Sequence, residues 1–408
     1  MLDNSRSWDR LAWVALASAS LILALNMGLR QSLGLFLQPM IHTLHWTAGE
    51  FALAIAVQQI LWGLTQPLAG AVADKFGTAR VLASGGLLFL AGFVLMSTAE
   101  AVGQCYLGVG VLMGIAASAT GFPIVFGAVT RRVPPSWSTL SLVIVTMAGS
   151  FGQFAIVPTA QFLTRLYDWS AALIVLGLLA FLITPLAPPL KGPTEIEADG
   201  GSSASLTGAI NEAFGHSTFW CINAGFFTCG FHFAFLATHL PGLVATCQFP
   251  TSVGANMLSL IGLANIAGAY GAGLLAGRWP KKLVLSATYF LRAFGIAVFL
   301  TVPWTEVTLY AFAIVIGFLW LGTVPMTSAL VGHIYGTRYL ATLYGIVFLS
   351  HQVGAFFGAW LGGLVFDATG VYTLMLVVDM FLALLAAALH LPIREHSLQA
   401  ELASRKCS

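Results

Sequence analysis

Twelve runs of apolar residues, bounded by charged or Pro/Gly-rich junctions, dominate this chain and restrict what it can fold into more than any other feature. They fall near 11–40, 50–72, 81–99, 104–130, 138–164, 169–189, 216–243, 252–277, 284–303, 307–331, 341–366 and 371–392. A hydrocarbon core about 30 Å thick is crossed by about 20 apolar residues in a helix, so every run is long enough to span. Composition agrees: 58% of residues are hydrophobic and 8% charged, against about 25% charged in a soluble domain. The expected fold class is an all-α polytopic membrane protein with twelve transmembrane helices. Its 43 glycines suit that class, because small residues let membrane helices approach closely. Cys105, Cys221, Cys229, Cys247 and Cys407 are scattered and form no metal-ligand spacing, so they read as reduced, packed thiols. The opening "MLDNSRSWDR" leads into the first run without a small-residue cleavage site, the pattern of a retained helix.

Positive charge orients the spans. Arg6, Arg10, Lys75, Arg80, Arg131, Arg132, Lys191, Arg278, Lys281, Lys282, Arg338, Arg394, Arg405 and Lys406 fall on one side; Arg165 lies near the other, and Arg30 and Arg292 lie within spans. The excess of Lys and Arg marks the cytoplasmic side, so both termini are expected there, as an even number of spans also requires. The polar stretch "KGPTEIEADGGSSASLTGAINEAFGHS", rich in Gly, Ser and acids, reads as a flexible linker. The expected organisation is an N-terminal six-helix bundle over 1–190, a cytoplasmic linker over 191–215, and a C-terminal bundle with a short tail over 216–408. Internal repetition supports that division. "GAVADKFGTARVL" from Gly70 and "GLLAGRWPKKLVL" from Gly273 stand 203 residues apart, each between the second and third span of its half. Two six-helix halves in parallel repeat, with a site at their interface near the midplane, are the layout of one large transporter class.

The first of these loops resembles the signature loop of the major facilitator superfamily, with Gly70, Asp74, Lys75, Gly77 and Arg80 in the family's positions. The resemblance implies two pseudo-symmetric bundles and a gating role for the loop, whose acid and base lock helix ends together in one conformation. The second copy carries Gly277 where the acid would stand. "GLRQSLGLFLQP", "QQILWGLTQPLAGAVADKFG" and "LYGIVFLSHQVGAFFGAWLGGLVFDATGVY" are similar to the branch containing monocarboxylate porters and the oxalate/formate antiporter. That likeness puts Arg30 and Gln31 on pocket-lining positions of span one, and His351 where the antiporter carries an essential lysine. The antiporter's arginine in span eight has no counterpart, since Ala269 and Tyr270 occupy the region. Oxalate is therefore not the expected substrate.

Arg30, His232, Arg292, His351 and Asp379 are the ionisable residues at membrane depth. Charge there is costly and marks candidate functional sites. Asn26, Arg30 and Gly34 follow at i, i+4 and i+8 on one helix stripe. Arg30 reads as a bidentate anchor for a carboxylate; the competing reading has its head reaching the surface. A shift of 203 carries Arg30 to position 233, so His232 lies at nearly the same level of span seven, with His239 seven residues on. His232 and His351 could carry a proton or meet an anion. Gln352 adjoins His351, and Asn265 and Tyr344 join the expected substrate lining. Gln58, Gln59, Gln66, Gln153 and Asn256 complete it. Arg292 and Asp379 lie roughly 12 and 20 Å from the same membrane face and are expected to form a buried ion pair, with Asp379 alternatively a lone protonation site. Pro123 and Pro158 suit kinks in spans four and five.

No GxSxG, HExxH or P-loop occurs, so an enzyme is not expected, nor a cofactor or metal. Nothing in the balance of +2 points to nucleic acid. A cavity with Arg30 and two histidines, and acid only at the periphery, suits an anion. The expected function is secondary transport, by alternating access, of a small organic anion, a monocarboxylate, together with a proton. Proton-coupled efflux of a drug or toxic metabolite, and anion exchange, are the alternatives. The expected setting is the lipid bilayer of a bacterial inner (plasma) membrane, as a monomer. The bulk of Phe36, Trp62, Phe231, Phe233 and Phe348 would set the size of the pocket.

Overall fold

The fold is taken from a computed structural model that describes residues 10–134, 137–191, 206–336 and 340–395. All regular structure described is helical. Twelve helices are long and apolar enough to cross a membrane: Arg10–Leu44, Ala48–Gly70, Thr78–Ser97, Val102–Thr130, Leu140–Leu166, Trp169–Leu186, Ser217–Thr246, Thr251–Ala276, Lys281–Thr301, Glu306–Tyr335, Thr342–Thr369 and Thr373–His390. These are spans one to twelve below, and they follow the apolar runs to within a few residues. Most of the linker lies outside the described residues. Its last part, Leu206–Gly215, is a short helix rather than flexible chain.

Packing repeats between the halves. In the first, span one packs on five, two on four, and three on six; in the second, seven packs on eleven, eight on ten, and nine on twelve. Glycines set two of these contacts at equivalent places. A Cβ on Gly152 would overlap the carbonyl of Ala24, and one on Gly354 would overlap that of Phe227; residues 24 and 227 are 203 apart. The halves then meet through spans two and eleven and through spans five and eight.

Three spans are broken where they approach the centre. Span one is α-helical to Gln31, passes through a 3₁₀ turn at Leu33–Phe36, and resumes at Leu37–Leu44. Its Ser32 hydroxyl donates to Leu29 O at 2.7 Å, and a Cβ on Gly34 would overlap Ala237 O of span seven. Span four carries a π-helical turn at Tyr106–Leu112 and a break after Ala119. Pro123 follows that break at the start of the next helix, where its missing N–H costs nothing. Pro158 sits inside an unbroken helix, Ser138–Leu166. Span ten stops at Phe318 and restarts at Thr323.

The molecule is closed at one end and open at the other. At the closed end the Asp367 carboxylate of span eleven accepts from Ala48 N at 2.9 Å and Gly49 N at 2.7 Å, the first turn of span two. Those amides have no partner within their own helix and carry its positive dipole end, so the carboxylate satisfies both. A Cβ on Gly363 would lie 2.6 Å from Ala48 O. At the other end, where the basic loops lie, a Cβ on Gly70, Gly273 or Gly345 would meet nothing within 4 Å. Among the described residues, the hydrogen bonds between halves all lie from the level of Asn265 toward the closed end.

The signature loop lies at the open end. Gly77 closes span two with φ 94°, a conformation that favours glycine. Lys75 Nζ lies 5.4 Å from the Phe76 ring and Arg80 Nη1 donates to Phe76 O at 3.1 Å, both within the loop's own half. The side chain of Asp74 lies outside the described residues.

Candidate functional site

Arg30 sits one residue before span one leaves α-helical geometry, and the 3₁₀ turn brings the chain against span seven. Its side chain is buried, 7% exposed, and does not reach the surface. Nη2 donates to Gln59 Oε1 at 3.2 Å and the guanidinium lies 3.8 Å over the Trp62 ring, both residues of span two. Nε and Nη1 are buried without a hydrogen-bond partner. They border a cavity of about 10 Å³ lined by Gln31, Ile55, Gln58, Gln59, Ala237 and Thr238, with no acid in its wall. Such a volume holds about one water molecule. Buried donors without acceptors cost about 1–3 kcal/mol each, so this guanidinium is left with unused hydrogen-bonding capacity.

A chain of contacts crosses from Arg30 into the second half. Gln352 Nε2 donates to Gln59 O at 3.0 Å and contacts Gln59 Oε1 at 3.4 Å. Its own Oε1 must then be the acceptor from His351 Nδ1 at 2.8 Å, which fixes the protonated nitrogen of His351. Phe348 stacks on the His351 ring at 5.7 Å and meets Trp62 edge-on at 5.3 Å. Gln31 Nε2 reaches Gln153 Oε1 at 3.4 Å, and Gln153 donates to Leu258 O of span eight at 2.7 Å. Arg30, Gln31, His351 and Gln352 are thus brought to one level between the halves.

Other expected lining residues hold helices together. Asn26 donates to Thr120 Oγ1 at 2.5 Å, beside the break in span four. Asn265 donates to Ser150 Oγ at 2.7 Å and accepts from Leu321 N at 2.8 Å, inside the break in span ten. Tyr344 donates to Val324 O at 3.4 Å. None of the three lines the cavity at Arg30.

His232 is turned away from Arg30. Its Nδ1 stands 3.1 Å from Asp379 Oδ1, both residues essentially fully buried. The register explains it: residue 233 is the true equivalent of Arg30, and one residue is a turn of about 100° on a helix. Phe233 accordingly faces inward, 5.3 Å from Trp320 and 6.1 Å from His351.

The expected Arg292–Asp379 ion pair is not formed. Arg292 Nε donates to Leu319 O at 2.9 Å, Nη2 donates to Leu319 O and Trp320 O, and Nη1 faces Cys229 Sγ at 3.7 Å. The break in span ten frees carbonyls at the negative end of a helix dipole, and a guanidinium satisfies several at once. Asp379 is left to His232. His239 donates from Nε2 to Ala359 O at 2.7 Å. Sequence reasoning does not reach Asp367, because an acid at a span end carries no local sign that it will cap a helix of the other half.

Two six-helix halves around a polar, occludable centre, closed at one end and open at the other, define a multi-pass membrane transporter. Residues 19–359 and 250–406 match the model of the Major Facilitator Superfamily, and the chain belongs to that family. It is 24% identical to an uncharacterized MFS-type transporter, YcxA, of Bacillus subtilis, over 95% of this chain and 96% of that one. It is 26% identical to monocarboxylate transporter 13 of Rattus norvegicus, over 90% and 85% of the respective chains. Among solved structures, the nucleoside transporter NupG matches with TM-score 0.77 at 13% identity, covering 94% of this chain and 100% of that one. A bacterial homologue of the human lysosomal transporter Spinster matches with TM-score 0.74 at 15% identity, covering 94% and 97%.

Proposed function

We propose that this protein carries a small organic anion, a monocarboxylate, together with a proton, by alternating access between its two halves. The observation that carries the reading is the Arg30 guanidinium, buried at the contact of the halves with Nε and Nη1 unpartnered and no carboxylate beside it. Once Gln59 releases Nη2, a planar carboxylate accepts from Nη2 together with either Nη1 or Nε in one bidentate pair. Bound anion neutralises Arg30 and so favours closure of the halves around it. The present cavity has room for no more than about one water molecule, so the anion enters as Trp62 and Gln59 move off the guanidinium. Resemblance to monocarboxylate transporters supports the substrate class. The proton is assigned to the His232–Asp379 pair, whose Nδ1 and Oδ1 stand 3.1 Å apart and away from the anion. By the positive-inside rule the open, basic end is cytoplasmic, with both termini on that side of a bacterial inner membrane, and the conformation is inward-open.

Uptake of labelled carboxylates into proteoliposomes, with and without an inward proton gradient, tests this. The native chain should accumulate a monocarboxylate with the gradient, and Arg30→Gln should lower uptake by at least about 100-fold, from the loss of two charged hydrogen bonds of about 1.5–3 kcal/mol each. Transport of no carboxylate, or undiminished uptake by a folded Arg30→Gln variant, would return efflux to the lead.

A further inference from the structure

The second loop copy differs from the first in its charge balance. Position 277, equivalent to Asp74, is glycine, so the loop keeps Arg278, Lys281 and Lys282 without the acid. Lys282 is committed: its Nζ donates to Leu391 O at 3.0 Å and Ile393 O at 2.7 Å, and its backbone N donates to Glu395. Arg278 and Lys281 have no side-chain partner among the described residues, and Arg278 is exposed. Directly beneath them opens a groove of about 360 Å³ between spans eight, nine and ten, with Trp279 and Leu283 at its mouth. Trp279 is 60% exposed.

The groove runs from that mouth to Gly268, Phe318 and Gly322, about 16 Å along span eight at 1.5 Å per residue. That is half of a hydrocarbon core of about 30 Å, or one leaflet. Its walls are apolar side chains and glycine apart from Thr288, whose hydroxyl is satisfied by Val284 O at 2.8 Å. Small residues hollow it, since a Cβ on Gly322 would already touch Ala272 at 2.8 Å. A cleft one leaflet deep, dry inside and basic at its rim, matches a single molecular shape.

We propose that this groove is a site for one anionic phospholipid, with an acyl chain between spans eight, nine and ten and its phosphate on Arg278 and Lys281. A basic pocket between membrane helices is a known arrangement for lipid head groups. The end of the acyl chain abuts Phe318 and Leu319, beside the break that Arg292 holds, so the lipid braces span ten. The site is separate from the transported anion.

Native mass spectrometry of the detergent-purified full chain, with phosphatidylglycerol and phosphatidylcholine of identical acyl chains at equal concentration, tests the proposal. The native chain should retain one phosphatidylglycerol in preference by roughly 25-fold, about fivefold for each of two charges. Arg278→Gln with Lys281→Gln should bring retention down to the phosphatidylcholine level, and Ala287→Phe, which fills the groove, should lower both lipids. Millimolar glycerol phosphate should displace neither. Equal retention of the two lipids by the native chain, an unchanged preference in the double variant, or displacement by glycerol phosphate would overturn it.

Discussion

The two halves share a fold and differ in what their buried cations do. In the second half Arg292 is saturated by the carbonyls of Leu319 and Trp320 and by Cys229 Sγ, and His232 stands 3.1 Å from Asp379. In the first, Arg30 keeps two donors without acceptors. Both arginines are deep in a membrane protein, and depth alone would make each a candidate site. The difference lies in unused hydrogen-bonding capacity: a saturated guanidinium braces a broken helix, whereas an unsaturated one is available to a ligand.

That contrast can be broken or sharpened by substitution. The largest effect is expected from exchanging roles: Arg30→Gln should lower carboxylate transport by at least about 100-fold while the thermal midpoint moves little. Arg292→Gln should do the reverse, lowering the midpoint by several degrees, as expected when buried carbonyls lose a charged donor worth about 1.5–3 kcal/mol per bond. Unfolding followed by intrinsic fluorescence, alongside uptake, separates the two outcomes; matched losses of uptake from both variants would erase the distinction.

Next in size is Asp379→Asn, which leaves His232 without its carboxylate. Gradient-driven accumulation should fall about tenfold, equivalent to about 1.4 kcal/mol of lost coupling to the proton, while counterflow exchange at equal pH stays near native. Equal loss in both assays would make the pair structural. The smallest change is expected at the closed end. Asp367→Asn removes a charged cap from span two, and caps of this kind contribute about 0.5–2 kcal/mol. Labelling of cysteines introduced at the closed end should rise several-fold as the halves part; unchanged labelling would mean that glycine packing alone holds that end.

The spans were legible because apolar length is read directly against bilayer thickness, and the 203-residue repeat because both loops keep their glycine and basic residues. The depth of Arg30 was legible because a charge stands out in an apolar run, as it does for Arg292. His232 was misdirected by one residue of register, since a repeat in sequence sets the level on a helix but not the side faced. Arg292 was misassigned because its partners are backbone carbonyls freed by a break between Phe318 and Thr323, and carbonyls carry no letter in a sequence. Asp367 reaches the other half across a contact made only when the closed end forms.

The central claim is that Arg30, and not Arg292, is the cation that holds the anion. Equilibrium binding of a labelled monocarboxylate to the purified native chain, Arg30→Gln and Arg292→Gln measures it directly. The account predicts saturable binding to the native chain, its loss in Arg30→Gln, and an affinity within a few-fold of native in folded Arg292→Gln. Retained binding in Arg30→Gln with loss in Arg292→Gln would contradict it.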